Sequence, residues 1–359
     1  MTQALALRNM LEERGHSVEH VVVGRQSRAL PSFFEEKMPA PITRIASPNF
    51  IADANERSVR PWFTLFRELL RMPAFVKELR TIDGLVEEHR PDVIVNFFDP
   101  AGGVYGLWRR GGVPVVSVAH QYMFYHPEYR FPEGSRIPGQ AARLFARITD
   151  VGAVRRLALS LYPAPDRPDD DLVVLPPLLR KSLFDLPLHR TEPFYLVYIV
   201  NSGYADAVIR WHKAHPSVSL HCFWDRADAA PAEQYDDTLT FHQLHDERFL
   251  KLMARCRGLV CTAGFESIAE AMYLGKPVQV VPVEGHFEQW CNAFDTVRAG
   301  AGIRSDRFDI DRLRHFIPQY THDASAFREW LHAGRPRFVE EIERTAAPTS
   351  APTPVALSV

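Results

Sequence analysis

The sequence predicts an α/β protein built from two doubly wound parallel-sheet domains facing a cleft, and three observations carry that expectation. The chain is 359 residues long, more than a single hydrophobic core usually organises at roughly 150 residues per domain. Short apolar runs bounded by Pro and Gly, such as Asp92–Phe98, Val113–Ala119 and Phe194–Val200, alternate with stretches of helical periodicity, the pattern of parallel strands buried on both faces. An Asp- and Pro-rich stretch over residues 166–190 separates the two alternations and reads as a linker.

The N-terminal domain, residues 1–165, opens on a helix: Ala4, Leu5, Leu7, Met10 and Leu11 share one helical face and Gly15 stops it. The β-branched run Val18–Val23 follows as a strand. In an α/β domain a strand and a Gly-rich turn normally precede the first helix. The first strand of this domain is therefore predicted to be missing, and codons for it are expected upstream of Met1. Within the linker, Leu172–Leu175 reads as a short strand. The second domain, residues 191–322, alternates strands at Phe194–Val200, Ser219–Trp224, Gly258–Cys261 and Pro277–Val283 with helices at Ala205–His215, Asp246–Arg255 and Glu266–Leu274. A helix over 323–345 follows, and the Ala-, Pro-, Ser- and Thr-rich residues 346–359 are predicted to be a disordered tail.

Composition narrows the function. With 46% hydrophobic and 24% charged residues and a formal net charge of -2, bulk charge gives nucleic acid nothing to bind. No apolar run approaches the ~20 residues of a membrane-spanning helix, and no secretory signal is visible, so a cytoplasmic location is expected. The four cysteines, Cys222, Cys256, Cys261 and Cys291, lack metal-ligand spacing and read as reduced, mostly buried thiols, so no metal is expected from them; no cofactor is expected either. Arg143, Arg147, Arg155 and Arg156 flank Leu144, Phe145 and Ile148. That stripe has two readings, a solvated helix face or a surface that rests peripherally on anionic lipid at the inner face of the cell membrane.

The stretch Cys261–Asn292 carries the chemistry. Gly264 lets the backbone turn sharply and approach a ligand, and the amides of Phe265, Glu266 and Ser267 open a helix whose positive end favours a diphosphate. Glu270, one turn on, offers a carboxylate that accepts well from ribose hydroxyls. Gly275, Lys276 and Pro277 are punctuation between helix and strand. His286, Glu288 and Gln289 sit on a loop at a strand's carboxyl end, where open α/β sheets bind ligands.

Gly264-Phe265-Glu266-Ser267-x-x-Glu270, the Gly-Lys-Pro turn and His286-x-Glu288-Gln289-x-x-Asn292-Ala293 resemble the donor-binding signature of GT-B glycosyltransferases. They are similar in particular to the bacterial lipid I N-acetylglucosaminyltransferase family and related glycosyltransferase-like proteins. The resemblance implies a C-terminal domain that binds a nucleotide sugar, usually a UDP-sugar, without metal and with inversion. It also implies donor contacts at Asn201-Ser202-Gly203, where the family carries more glycines, at Arg180 near the nucleotide, and at Leu244 beside the base. On the acceptor side it points to His120 and Gln121 after one strand and Asp99 after another, each able to act as a base or to orient one. The family's Gly-x-Gly-His-type loop falls before Met1. Two alternatives share the architecture: a non-hydrolysing UDP-sugar epimerase and a catalytically inactive nucleotide-sugar binding protein.

Overall fold

Ala4, Leu5, Leu7, Met10 and Leu11 are all buried on the first helix, α1 (Thr2–Glu13), which ends where Gly15 takes the left-handed φ of 88°. The computed structural model describes residues 1–24, 30–45, 72–188, 190–199, 204–224, 226, 230–346 and 354–358. Two units divide the chain: residues 1–178 with 331–359, and residues 179–330.

In the first unit α1 is followed by β1 (Ser17–Gly24), α2 (Ser32–Lys37), β2 (Ile42–Ile45), α3 (Met72–His89), β3 (Val93–Asn96), α4 (Pro100–Trp108), β4 (Val115–Ala119), α5 (Arg136–Asp150), β5 (Arg155–Leu159) and β6 (Leu172–Leu175). Every residue of β3 and β4 is buried, as strands covered on both faces must be. Burial of each Val or Ile there stabilises the unit by about 1.5–3 kcal/mol. Helix α4 reaches the backbone of α5 through its glycines. A Cβ at Gly103 would lie 2.4 Å from the Thr149 carbonyl oxygen, and one at Gly106 would lie 2.7 Å from that of Gly152, so no larger residue fits.

The second unit contains α6 (Lys181–Phe184), β7 (Phe194–Ile199), α7 (Ala205–Ala214), β8 (Ser219–Trp224), β9 (Ala232–Gln234), β10 (Leu239–Gln243), α8 (Asp246–Arg255), β11 (Leu259–Cys261), α9 (Phe265–Tyr273), β12 (Val278–Val280), α10 (Phe287–Arg298), β13 (Gly302–Arg304) and α11 (Ile310–Phe316). Its seven-stranded sheet has the order β13-β12-β11-β7-β8-β10-β9, parallel throughout except where β9 runs against β10. From β7 the chain winds outward to β8 and β10, and from β11 it winds the other way to β12 and β13. The order therefore reverses between β7 and β11, the switch point at whose carboxyl side such sheets bind ligands. Helix α12 (Ala324–Thr345) crosses the boundary between the units, which falls after Trp330.

Two sequence-based expectations change. Leu172–Leu175, expected inside a linker, is the edge strand β6 of the first sheet, paired with β5 from Arg156↔Leu172 to Leu159↔Leu175, and the unit boundary follows it at Leu178. Part of the stretch expected to be a disordered tail is a strand, β14 (Pro354–Ser358). It runs parallel between β1 and β3, with Val355 opposite both Val18 and Val93, giving the order β2-β1-β14-β3-β4-β5-β6. Among the described residues no strand precedes α1. Without β14 the facing edges of β1 and β3 would bury backbone N–H and C=O groups with no partner. That accounting, invisible to composition, is met by the five residues of β14.

Candidate active site

At the switch point of the second sheet, β11 ends at Cys261 and the chain turns through Thr262, Ala263 and Gly264 into α9. The residue in the left-handed region is Ala263, with φ 54°, a conformation that costs a non-glycine residue of order 1 kcal/mol and is stored at functional sites when the surroundings fix it. Asn292, buried on α10, fixes it by donating from Nδ2 to the Ala263 carbonyl oxygen at 2.9 Å. Gly264 is the N-cap in an ordinary extended conformation, φ -71° and ψ 129°. The sharp turn expected of Gly264 therefore belongs to Ala263. A Cβ at Gly264 would meet only Ser267 Oγ, at 3.5 Å, so what glycine provides there is open space above the helix end.

No side chain caps α9 at its amino end, and the positive end of a helix dipole favours an outside anion there. Ser267 Oγ is turned back, donating to the Gly264 carbonyl oxygen at 3.0 Å, and the Phe265 ring is buried in the core. Only the backbone of these two faces the helix end.

Glu270 is 1% exposed and is held by Arg180: Nε donates to Oε1 and Nη2 to Oε2, each at 2.7 Å. Arg180 Nη1 also pairs with Asp246, at the start of α8. Burial pushes the Glu270 carboxyl above the ordinary carboxylate range and Glu266 adds to this, while the Arg180 guanidinium opposes both. Tyr198, on β7 in register with Cys261, lies in the field of Glu266 and Glu270. Burial first, and those carboxylates second, push its hydroxyl up to about 12.

The other expected positions divide. His286 caps α10, its Nδ1 accepting from the Gln289 amide at 3.4 Å, and Gln289 Oε1 accepts from the Val283 amide at 2.8 Å. Both brace the loop after β12, with Glu288 in the first turn of α10. Leu244 follows β10 and is 40% exposed, an apolar platform at a strand's carboxyl end. Lys276 is structural, its Nζ donating to the Arg190 carbonyl oxygen at 3.2 Å. Asn201, Ser202 and Gly203 lie outside the described residues.

His120, Gln121 and Asp99 belong to the first unit. His120 and Gln121 open a 3-10 helix, His120–Tyr125, directly after β4, and His120 is buried. Asp99 caps α4, accepting from the Ala101 amide at 2.7 Å, while its own amide donates to Asn96 Oδ1 at 3.0 Å. The neighbouring Tyr122, Met123 and Phe124 are core residues. Among the described residues no cluster of His, Cys, Asp and Glu could hold a metal ion, and no helix is long and apolar enough to cross a membrane.

Asp246, Tyr198 and the Asn292–Ala263 tie were missed in the sequence. Asp246 and Tyr198 lie in no motif, although both sit where a strand meets a helix or a switch point. Asn292 stood within the motif, but nothing in the spacing assigned its partner.

Comparison with known proteins shows the family and the fold. The sequence model for glycosyl transferase family 1 matches residues 2–320, and no curated protein matches the chain. Among solved structures, the glycotransferase of kitacinnamycin is similar with a TM-score of 0.63 and 20% identity over 96% of this chain and 95% of that one. CalG4, the calicheamicin glycosyltransferase, gives 0.61 and 17% over 97% and 95%. MurG of Acinetobacter baumannii gives 0.53 and 15% over 95% of each chain. A family match across most of the chain, on a GT-B fold, makes this protein a glycosyltransferase belonging to glycosyl transferase family 1.

Proposed function

We propose that the protein transfers a hexosyl group from a uridine diphosphate sugar to an acceptor hydroxyl, with inversion and without a metal. The observation that carries the donor assignment is the uncapped amino end of α9, set by left-handed Ala263 at the sheet's switch point one turn before buried Glu270. A diphosphate accepts from the amides of Phe265, Glu266 and Ser267 and gains from the helix dipole. The ribose hydroxyls donate to Glu270, and the base rests on Leu244. Among similar folds, LpCGTa was solved in complex with UDP and Arabidopsis thaliana UGT89C1 with UDP-L-rhamnose, which supports a uridine nucleotide here.

In the reaction the acceptor oxygen attacks the anomeric carbon as its proton passes to a base, and the bond to the diphosphate breaks with its electron pair leaving on the phosphate oxygen. His120 is the proposed base, a role worth roughly 10²–10⁴-fold, with Gln121 positioned beside it. Asp99 is assigned to shaping the turn that opens α4. The α9 amides stabilise the charge developing on the leaving diphosphate, as preorganised dipoles do. The exposed Ile137 and Leu144 on α5, with Arg143 and Arg147 on the same helix, support a peripheral contact with anionic lipid at the inner face of the cell membrane, where the acceptor would be met.

Incubation with a panel of labelled nucleotide sugars, with and without anionic vesicles, tests this. Slow transfer or hydrolysis of a UDP-sugar is expected, with protein recovered on the vesicles. An epimerised donor would identify an epimerase instead, binding without turnover would indicate an inactive nucleotide-sugar binder, and protein left in solution would remove the lipid contact.

A further inference from the structure

Arg180 stands where an arginine that approaches the nucleotide is expected, yet every one of its nitrogens already pairs with a carboxylate of the protein. Nε and Nη2 grip both oxygens of Glu270 and Nη1 pairs with Asp246, so all three guanidinium nitrogens are committed to carboxylates of the protein. The grip on Glu270 is a two-point fork, the geometry that fixes a carboxylate plane as well as its charge. Nη2 also lies 2.6 Å from Oε1, and the lone pairs this grip leaves on the rigid carboxylate are its acceptors for a ligand. The 2′ and 3′ hydroxyls of a ribose are two adjacent donors.

We propose that Arg180 is a positioning residue that holds the Glu270 carboxyl oriented to accept from the ribose hydroxyls, and that it thereby sets the preference for ribonucleotides over 2′-deoxyribonucleotides. This rests on the donor site described under Proposed function. The groups that face Glu270 are Arg180 before α6, Asp246 at the start of α8, Glu266 on α9 itself and Tyr198 on β7. Among the described residues Arg180 is the one cation of this group. Without it a carboxyl 1% exposed, beside Glu266, loses its counter-charge and favours the protonated form, which accepts less well.

Calorimetric titration with UDP and with 2′-deoxy-UDP separates this role from direct contact with the diphosphate. Wild type is expected to favour UDP by roughly ten-fold or more, the value of a hydrogen bond to a charged group. In Arg180→Gln the preference is expected to fall to within about two-fold, because 2′-deoxy-UDP has little left to lose. If Arg180 instead bound the diphosphate, both ligands would weaken by the same factor and the preference would persist, which overturns the inference alone. Should Arg180→Gln fail to fold, Arg180→Lys decides. It keeps the charge and loses the fork, so a collapsed preference supports positioning and a retained one overturns it. A wild type that binds neither nucleotide overturns the donor site and this inference with it, whereas a wild type that binds both equally overturns only the inference.

Discussion

His221 and His242 face each other across β8 and β10, with Nδ1 of one 2.9 Å from Nε2 of the other. One ring must donate and the other accept, so the contact requires the accepting ring to be neutral, and protonating both breaks it. Burial lowers both pKa values; His242 is brought to about 4, with His221 and Arg248 adding to the effect, and His221 is lowered further by Arg255 while Glu192 opposes. An unfolded histidine takes up its proton near pH 6.5, so below that pH the unfolded chain binds more protons and stability falls as pH drops toward 4. Thermal unfolding across that window is expected to show a loss of about 3 kcal/mol from this pair. His242→Phe, which keeps a ring against Phe223, should flatten the slope, and an unchanged slope would contradict the assignment. At this scale the sequence is least legible. It showed two scattered histidines, and it placed the strained turn on Gly264 when Ala263 holds it, because a residue's φ depends on a partner, Asn292, far along the chain.

At the level of elements the sequence was far more legible, since apolar periodicity reports burial directly. The runs at Asp92–Phe98 and Val113–Ala119 contain β3 and β4, and the helix–strand alternation of the second unit is found where periodicity places it. β14 escaped because its composition is that of a solvated tail, and only the open slot between β1 and β3 makes it a strand. Being paired on both sides, it is a poor place for proline, which removes a ladder donor. Ala356→Pro is expected to destabilise the first unit by about 1–3 kcal/mol, the cost of a buried acceptor left without its donor. Hydrogen exchange would read this as faster exchange at Val21–Val23 and Val93–Asn96 with the second unit's amides unaffected; unchanged protection in β1 and β3 would remove β14 from the sheet.

On the scale of the whole molecule, the chain devotes one sheet to each unit, and the features that point to a ligand concentrate in the second. There the strand order reverses between β7 and β11, an uncapped helix begins, and a carboxylate is buried with an arginine in place. The motif was legible because it is local: helix start, carboxylate and downstream loop lie within one stretch of sequence. The Arg180–Glu270 and Arg180–Asp246 pairs were not, because they join residues that only the fold brings together. The most direct test of this donor site is calorimetric titration of wild type and Glu270→Ala with UDP. Binding with one nucleotide per chain is expected for wild type, weakened in Glu270→Ala by about 1.5–3 kcal/mol, the value of a hydrogen bond to a charged group. The same affinity in both proteins would contradict the placement of the ribose on Glu270, and no binding to wild type would contradict the donor site itself.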